Sequence, residues 1–240
     1  MSEAPVIIGR LRAVLMGKAR PYTRAGSLSA IDKQPWDGAV MAGLTGLEGD
    51  EQGDPRVHGG PDKAVHCYTW VHYGAWQRDL PGETAAALLR QPGAFGENFS
   101  LEPGLDETNV CIADQWAVGD ALFEVSQGRQ PCWKLNDRFG VPDMARRVQQ
   151  GGHAGWYLRV LRPGLVQTGD AVRLVARPHP DWTLARLLSA IAERDCNPET
   201  LAHILALPLP PSWARLFRRR LETGQVEAWA SRLEGAKSGT

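Results

Sequence analysis

A cysteine between two cations is the most reactive feature of the sequence. Residues 126–135 read Ser-Gln-Gly-Arg-Gln-Pro-Cys-Trp-Lys-Leu, so Arg129 and Lys134 flank Cys132 in a loop that contains a proline. Neighbouring positive charge favours the thiolate form of a cysteine. Because a thiolate is either a nucleophile or a ligand for a soft metal, we predict that Cys132 carries the chemistry of this protein.

Two glycine-rich segments could bring their backbone close to a ligand. The first is residues 57–64, with His58, Gly59, Gly60 and Lys63, and the second is residues 93–99, with Phe95, Gly96, Glu97 and Asn98. Glycine loops can present N–H groups to an anion, and an asparagine amide both donates and accepts hydrogen bonds at the edge of a heterocycle. Taken alone, each segment is more typical of a structural turn than of a binding site.

Composition excludes several classes of function. The 240 residues include 27 Lys and Arg against 27 Asp and Glu, so the chain has no general attraction for nucleic acid or anionic lipid. The four cysteines, at positions 67, 111, 132 and 196, form no C-x-x-C pair for zinc or an iron–sulfur cluster. With no apolar run of about 20 residues and no signal peptide pattern, we expect a cytoplasmic protein without a membrane partner.

The elements that must position these residues change in character near residue 178. Up to that point, short runs of strand-forming residues alternate with Gly and Pro turns, which predicts a closed or nearly closed barrel. Two helical patches, near Val71 to Asp79 and from Pro142 to Gln150, interrupt this pattern.

From residue 181 onward the apolar residues recur with helical spacing. Asn197 followed by Pro198 predicts the start of a second helix, Ser212 the cap of a third, and Gly224 its end. We therefore predict a β-barrel domain over residues 1–177 and a small three-helix domain over residues 181–240. The fold class is mainly β in the barrel and α+β overall.

Four segments in this order and spacing resemble the MOSC domain, named after the C-terminal domain of molybdenum cofactor sulfurase. They are residues 46–52 (Gly-Leu-Glu-Gly-Asp-Glu-Gln), 58–64 (His-Gly-Gly-Pro-Asp-Lys-Ala), 93–99 and 126–135. The likeness spans most of residues 5–177, and the helical tail is similar to the three-helix appendage of the bacterial YiiM-like subgroup.

This resemblance implies a molybdopterin-binding β-barrel in which the cysteine of the Arg-x-Pro-Cys motif, here Cys132, is a ligand to molybdenum. It also implies reduction of N-hydroxylated bases such as 6-hydroxylaminopurine to the amine. Because the sequence has no flavin, nicotinamide or iron–sulfur motif, we expect electrons from a separate reductase. A basic face with Arg215, Arg218, Arg219 and Arg220 is a candidate for that contact, and the protein would act as a monomer or homodimer.

Within this interpretation Cys132 is the metal ligand, and His58 and Glu97 are candidate proton donors by residue type. The candidate cofactor-binding residues are Lys18, His58, Gly59, Gly60, Lys63, Phe95, Gly96, Asn98 and Arg129. Three other functions stay open on the residues alone. Cys132 could carry a persulfide in a sulfur or cofactor carrier, it could be a nucleophile with His58 or His66 as base, or the helical tail could recruit a partner to a scaffold.

Overall fold

The computed structural model describes residues 5–235. Its strands in this range, β1 to β13 in chain order, are Val6–Met16, Arg20–Pro21, Leu28–Ser29, Gln34–Pro35, Val40–Gly43, Gly46–Leu47, Val65–Thr69, Phe99–Leu101, Gln115–Val118, Ala121–Gly128, Trp156–Arg162, Gly164–Val166 and Ala171–Ala176. The helices, α1 to α9, are Pro55–His58, Val71–Asp79, Glu83–Leu88, Lys134–Phe139, Met144–Gly151, Leu184–Ala192, Pro198–Leu205, Pro211–Thr223 and Ala230–Glu234, and a short 3-10 helix covers Pro61–Lys63.

Seven strands close into a barrel, as the sequence predicts. The order around the barrel is β13-β9-β10-β11-β7-β8-β1, and β1 pairs again with β13. All of these pairs are antiparallel except β7 with β8. Closure leaves no open edge in this sheet, and β4 adds only two pairs to the end of β1.

Alternation of side chains along the strands fills the barrel. In β10, Ala121, Phe123 and Val125 are buried, whereas Leu122 and Glu124 are partly exposed. These inward residues join Trp116 and others in one apolar cluster. Cys67 belongs to the same cluster, and burial raises its pKa well above the ordinary thiol value. Cys67 is therefore a buried hydrophobe with an unreactive thiol.

A second apolar cluster joins the outside of the barrel to the C-terminal helices. It contains Tyr68 and Phe95 from the barrel side together with Leu187, Trp213 and Phe217 from α6 and α8. The helical segment therefore shares a core with the barrel, which explains how so short a segment is stabilised. Residues 1–4 and 236–240, the outer ends of the two predicted domains, lie outside the described residues.

Most local signals for helix ends are confirmed. Helix α2 covers Val71–Asp79, and the side chain of Asn197 accepts hydrogen bonds from the backbone of Glu199 and Thr200 at the start of α7. The prediction for Ser212 is wrong, because Pro211 already occupies the first turn of α8. No helix among residues 5–235 has both the length and the apolar character needed to cross a membrane.

The predicted basic face of α8 is smaller than expected. Arg215, Arg218 and Arg219 are exposed, but the side chain of Arg220 is fully buried. Its guanidinium pairs with Glu227 at 2.8 Å and donates to backbone carbonyls of the segment that ends α6. Arg220 points inward because it satisfies the carbonyls at the C-terminal end of that helix.

Candidate active site

One cavity brings together segments that are far apart in the chain. It encloses about 580 Å³, counting its open mouth. Seven of the residues predicted for the site line it: His58, Lys63, Phe95, Gly96, Asn98, Arg129 and Cys132. The loop that leaves β10 supplies Arg129 and Cys132, and the loops that enter β7 and β8 supply the others.

Cys132 and His58 face each other in this cavity. The Sγ atom of Cys132, which is partly exposed, lies 3.5 Å from Nε2 of His58. Burial, together with the positive charges of Lys134, Lys63 and Arg129, lowers the pKa of His58 to about 4. The imidazole is therefore neutral near neutral pH. Its Nδ1 atom is buried and has no hydrogen-bond partner among the described residues.

Arg129 is a buried cation that forms no ion pair among the described residues. Its side chain is only 7% exposed, and its Nη1 atom has no hydrogen-bond partner within residues 5–235. The backbone holds it in place, because Arg129 N donates to Gly155 O at 2.8 Å. A buried guanidinium with an unused N–H is costly unless an anion binds to it. Arg129 therefore marks the part of the cavity that suits an anionic ligand.

Two lysines add positive charge around the thiol. Lys63 Nζ donates to Val57 O and Lys134 Nζ donates to Leu28 O, each at 2.6 Å. A lysine ammonium has three N–H donors, so each side chain keeps two for a ligand. Burial lowers the pKa of Lys63, with Asp62 opposing this. Neither lysine forms an ion pair in the described part of the chain.

Glu97 does not reach the thiol, contrary to its predicted role as a proton donor. Its carboxylate is fully buried and accepts hydrogen bonds from Gly93 N at 2.8 Å, from Phe95 N at 3.1 Å and from the Tyr73 hydroxyl. The carboxylate therefore holds the loop that carries Phe95 and Gly96. Sequence alone could not separate this role from catalysis, because a glutamate in a glycine-rich loop suits both.

The amide of Asn98 is also committed to the protein. Its Oδ1 accepts from His66 N at 3.1 Å, and its Nδ2 donates to Leu15 O at 3.2 Å and to Asp50 Oδ2 at 2.9 Å. Both amide hydrogens are used, so Asn98 borders the cavity without a free donor for a heterocycle. This corrects the prediction that the Asn98 amide donates hydrogen bonds to the edge of a pterin.

The other three predicted residues do not line the cavity. Gly59 and Gly60 lie between α1 and the following 3-10 helix, and the φ of +96° at Gly60 suits glycine. These two glycines connect His58, which precedes them, to Lys63, which follows them, and so help to place both side chains in the cavity. The prediction that Lys18 binds the cofactor is corrected. Its side chain is 60% exposed and pairs with Glu51 at 3.1 Å, because the chain turns outward after β1.

The cavity is also lined by residues outside the predicted cofactor-binding set, among them Lys33, Asp50, His66 and Tyr157. Lys33 Nζ lies 2.5 Å from Asp50 Oδ1, with both side chains buried. Burial lowers the pKa of Lys33, and Asp50 opposes this. Burial and the charge of Arg129 hold the pKa of His66 well below its usual value. Asp50 lies in a recognised motif, but no sequence signal marked Lys33.

The side chains that line the cavity fit a cofactor that itself supplies most of the ligands to its metal. No cluster of three His, Cys, Asp or Glu residues able to hold a metal occurs in the described residues. The cavity offers one thiol, the cations Lys63, Lys134 and Arg129, which form no ion pair in the described part of the chain, and the unused N–H of Arg129. This combination suits an anionic cofactor whose soft metal needs a single protein thiolate.

The closed barrel and this cavity define the class of the protein. A MOSC domain matches residues 54–173, and a YiiM-like 3-alpha helix domain matches residues 182–224. The chain belongs to the MOSC-domain family and carries the appended helices of its YiiM-like members.

Particular relatives support this assignment. The chain is 39% identical over 223 residues to Protein YiiM of Escherichia coli strain K12, covering 92% of this chain and 97% of that protein. The crystal structure of YiiM from Escherichia coli superposes with a TM-score of 0.78, at 32% identity, over 94% of this chain and 99% of that one. A protein of Gibberella moniliformis named "Reductase" is 37% identical over 217 residues, which are 90% of this chain but 38% of the fungal protein.

Proposed function

We propose that this protein is a molybdenum cofactor-dependent reductase that removes the hydroxyl oxygen from N-hydroxylated compounds such as 6-hydroxylaminopurine. The observation that carries the proposal is the thiol of Cys132 in a cavity with a buried, uncompensated Arg129. Membership of the MOSC family and the relative named "Reductase" support it. The overall change is R–NHOH plus two electrons and two protons to R–NH2 and water.

The residues divide the binding of the cofactor between them. Cys132 supplies one soft sulfur ligand to molybdenum, and Arg129, Lys63 and Lys134 bind the anionic parts of the cofactor. When bound, the cofactor supplies the two-electron oxygen-transfer chemistry. Phe95 and Gly96 form part of the wall against which a planar ligand packs.

His58 is a neutral hydrogen-bond partner beside the thiol. Since the imidazole is neutral near neutral pH, one ring nitrogen carries a hydrogen and the other is an acceptor. With Nε2 next to Cys132 Sγ, His58 would hydrogen-bond to the sulfur and orient it, and the thiol proton would be released to solvent on metal binding. The electrons come from a separate reductase, and the exposed arginines of α8 are the candidate contact for an acidic partner.

The test is to measure molybdenum and pterin content in protein made in a host that synthesises the cofactor. Reduction of 6-hydroxylaminopurine is assayed on the same samples with a chemical electron donor. Cys132→Ala is compared with Cys196→Ala, a partly exposed thiol of the helical segment that does not line the cavity. We expect metal and activity in the parent and in Cys196→Ala, and neither in Cys132→Ala.

Other outcomes would redirect the assignment. A metal-free, inactive parent protein with sulfane sulfur on Cys132 would overturn the reductase and favour a sulfur carrier. Activity in the metal-free protein that alkylation abolishes would instead indicate a thiol enzyme.

A further inference from the structure

The C-terminal helix holds the loop of Cys132 from both sides. Arg232 Nη1 donates to Pro131 O at 2.6 Å, and Trp133 N donates to Arg232 O at 2.8 Å. One residue of α9 therefore hydrogen-bonds to the backbone immediately before and immediately after Cys132. Arg232 lies about 100 positions further along the chain, so only the tertiary structure creates this contact.

Helix α9 is itself well anchored. Arg232 Nη2 donates to Gln149 Oε1 at 2.5 Å, and Gln149 is buried in α5. Leu233 O accepts from Asn136 Nδ2 at 2.8 Å, and Asn136 Oδ1 accepts from Ala145 N at 2.7 Å. The side chain of Leu233 is buried as well. The position of the Cys132 loop therefore depends on α4, α5 and α9 together rather than on one surface side chain.

Arg232 also brings charge to the thiol. Burial lowers the pKa of Arg232, and the sulfur of Cys132, followed by Glu227, opposes this. Arg232 forms no ion pair in the part of the chain that the structure describes. Its guanidinium is therefore one more cation near Cys132, half-buried, beside Arg129 and the two lysines.

We propose that Arg232 is a positioning residue that holds Cys132 in place, so that α9 completes a site otherwise built by the barrel. The role of Cys132 as the metal ligand rests on the proposed function, but the hold on its loop does not. Helix α9 lies beyond residues 54–173 and 182–224, the ranges that the two family domains match.

The experiment uses metal-free full-length protein, so that its result is independent of the cofactor. Hydrogen exchange reports the Trp133 amide, and mass spectrometry reports alkylation by iodoacetamide at Cys132, with Cys196 as the internal reference. The variants are Arg232→Met, which removes the donors and the charge, and Arg232→Lys, which keeps the charge and a single-point donor. Arg146→Met is the matched control. Arg146 of α5 pairs at 2.8 Å with Glu234, which lies in α9 like Arg232, but this pair is on the solvent side.

We expect Arg232→Met to raise both the exchange of Trp133 and the Cys132-to-Cys196 alkylation ratio roughly tenfold, from the loss of charge-assisted hydrogen bonds. Arg232→Lys should recover part of the effect, and Arg146→Met should match the parent. Unchanged exchange and alkylation in folded Arg232→Met would overturn the proposal, as would an equal rise at both cysteines. If Arg232→Met does not fold, the same criteria apply to Arg232→Lys. Failure of the proposed function would show instead as a parent protein without molybdenum.

Discussion

The Nε2 atom of His58 lies 3.5 Å from the Sγ atom of Cys132, although 74 residues separate them in the chain. His58 ends a one-turn helix, and Cys132 follows the strand that leads to Arg129. Because three nearby cations act on the same imidazole, the pair cannot be described as a simple thiolate–imidazolium couple. The neutral ring accepts a proton only at acidic pH.

This low pKa predicts a pH-dependent stability. In the unfolded chain His58 titrates near 6.5, and in the folded chain near 4, so between these values the native state binds fewer protons. Stability is therefore full above the unfolded pKa and is lost as the pH falls toward the folded one. Between about pH 7 and about pH 5, we expect His58 to account for a loss of about 2 kcal/mol.

Urea unfolding at the two pH values measures this contribution. His58→Gln should reduce the loss of unfolding free energy between these two pH values by about 2 kcal/mol, because glutamine does not titrate. His203→Gln is the control, since this exposed histidine of α7 lies outside the cavity of Cys132, and this variant should keep the pH dependence of the parent. Equal pH dependence in the parent and in His58→Gln would contradict the prediction.

Lys33 and Lys18 offer a matched comparison of buried and exposed ion pairs. Lys33 pairs with Asp50 inside the cavity, and Lys18 pairs with the next residue, Glu51, at the surface. Lys33→Met leaves a buried carboxylate without its cation and should cost about 3 kcal/mol of unfolding free energy. Lys18→Met should cost less than about 1 kcal/mol and should leave molybdenum content unchanged. Similar losses of unfolding free energy for the two variants, measured by urea unfolding, would argue against Lys33 and Asp50 as a buried ion pair.

Arg129 should show a conflict between stability and binding. Its guanidinium is buried, and the Nη1 atom has no hydrogen-bond partner within residues 5–235. Arg129→Met should therefore leave the unfolding free energy unchanged or raise it by about 1 kcal/mol, while molybdenum content falls. Arg129→Lys keeps the charge and should retain part of the metal. A large destabilisation with normal metal content would mean that Arg129 has only a structural role.

Arg220 is expected to be structural. Its side chain pairs with Glu227 and donates to carbonyls of Ala190, Ile191 and Asp195. Arg220→Met leaves these acceptors buried and should lower the unfolding free energy by about 3 kcal/mol or more. Arg219→Met, at the exposed neighbouring position, should change it by less than about 0.5 kcal/mol. Thermal or urea unfolding of both variants distinguishes the roles.

The class of fold and the centre of the site could be predicted from local patterns. Strand runs between Gly and Pro turns indicated a barrel, because alternation and turn chemistry are properties of a few neighbouring residues. Cys132 with Arg129, and His58 with Lys63, could be found because each pair lies in one short segment. The structure places all four in one cavity.

The tertiary structure decided which of the remaining polar residues face that cavity. Glu97 and Asn98 lie in a recognised motif, but their hydrogen bonds go to Gly93, His66 and Asp50. Lys33 and Lys18 are both lysines near strand ends, and only burial separates them.

Arg232 had no local signal at all, because its partners are backbone atoms about 100 positions earlier. The sequence by itself determined the barrel class, several helix ends and the residue types of the site. Which side chains are buried, paired or free depends on long-range packing, and only the folded chain brings those partners together.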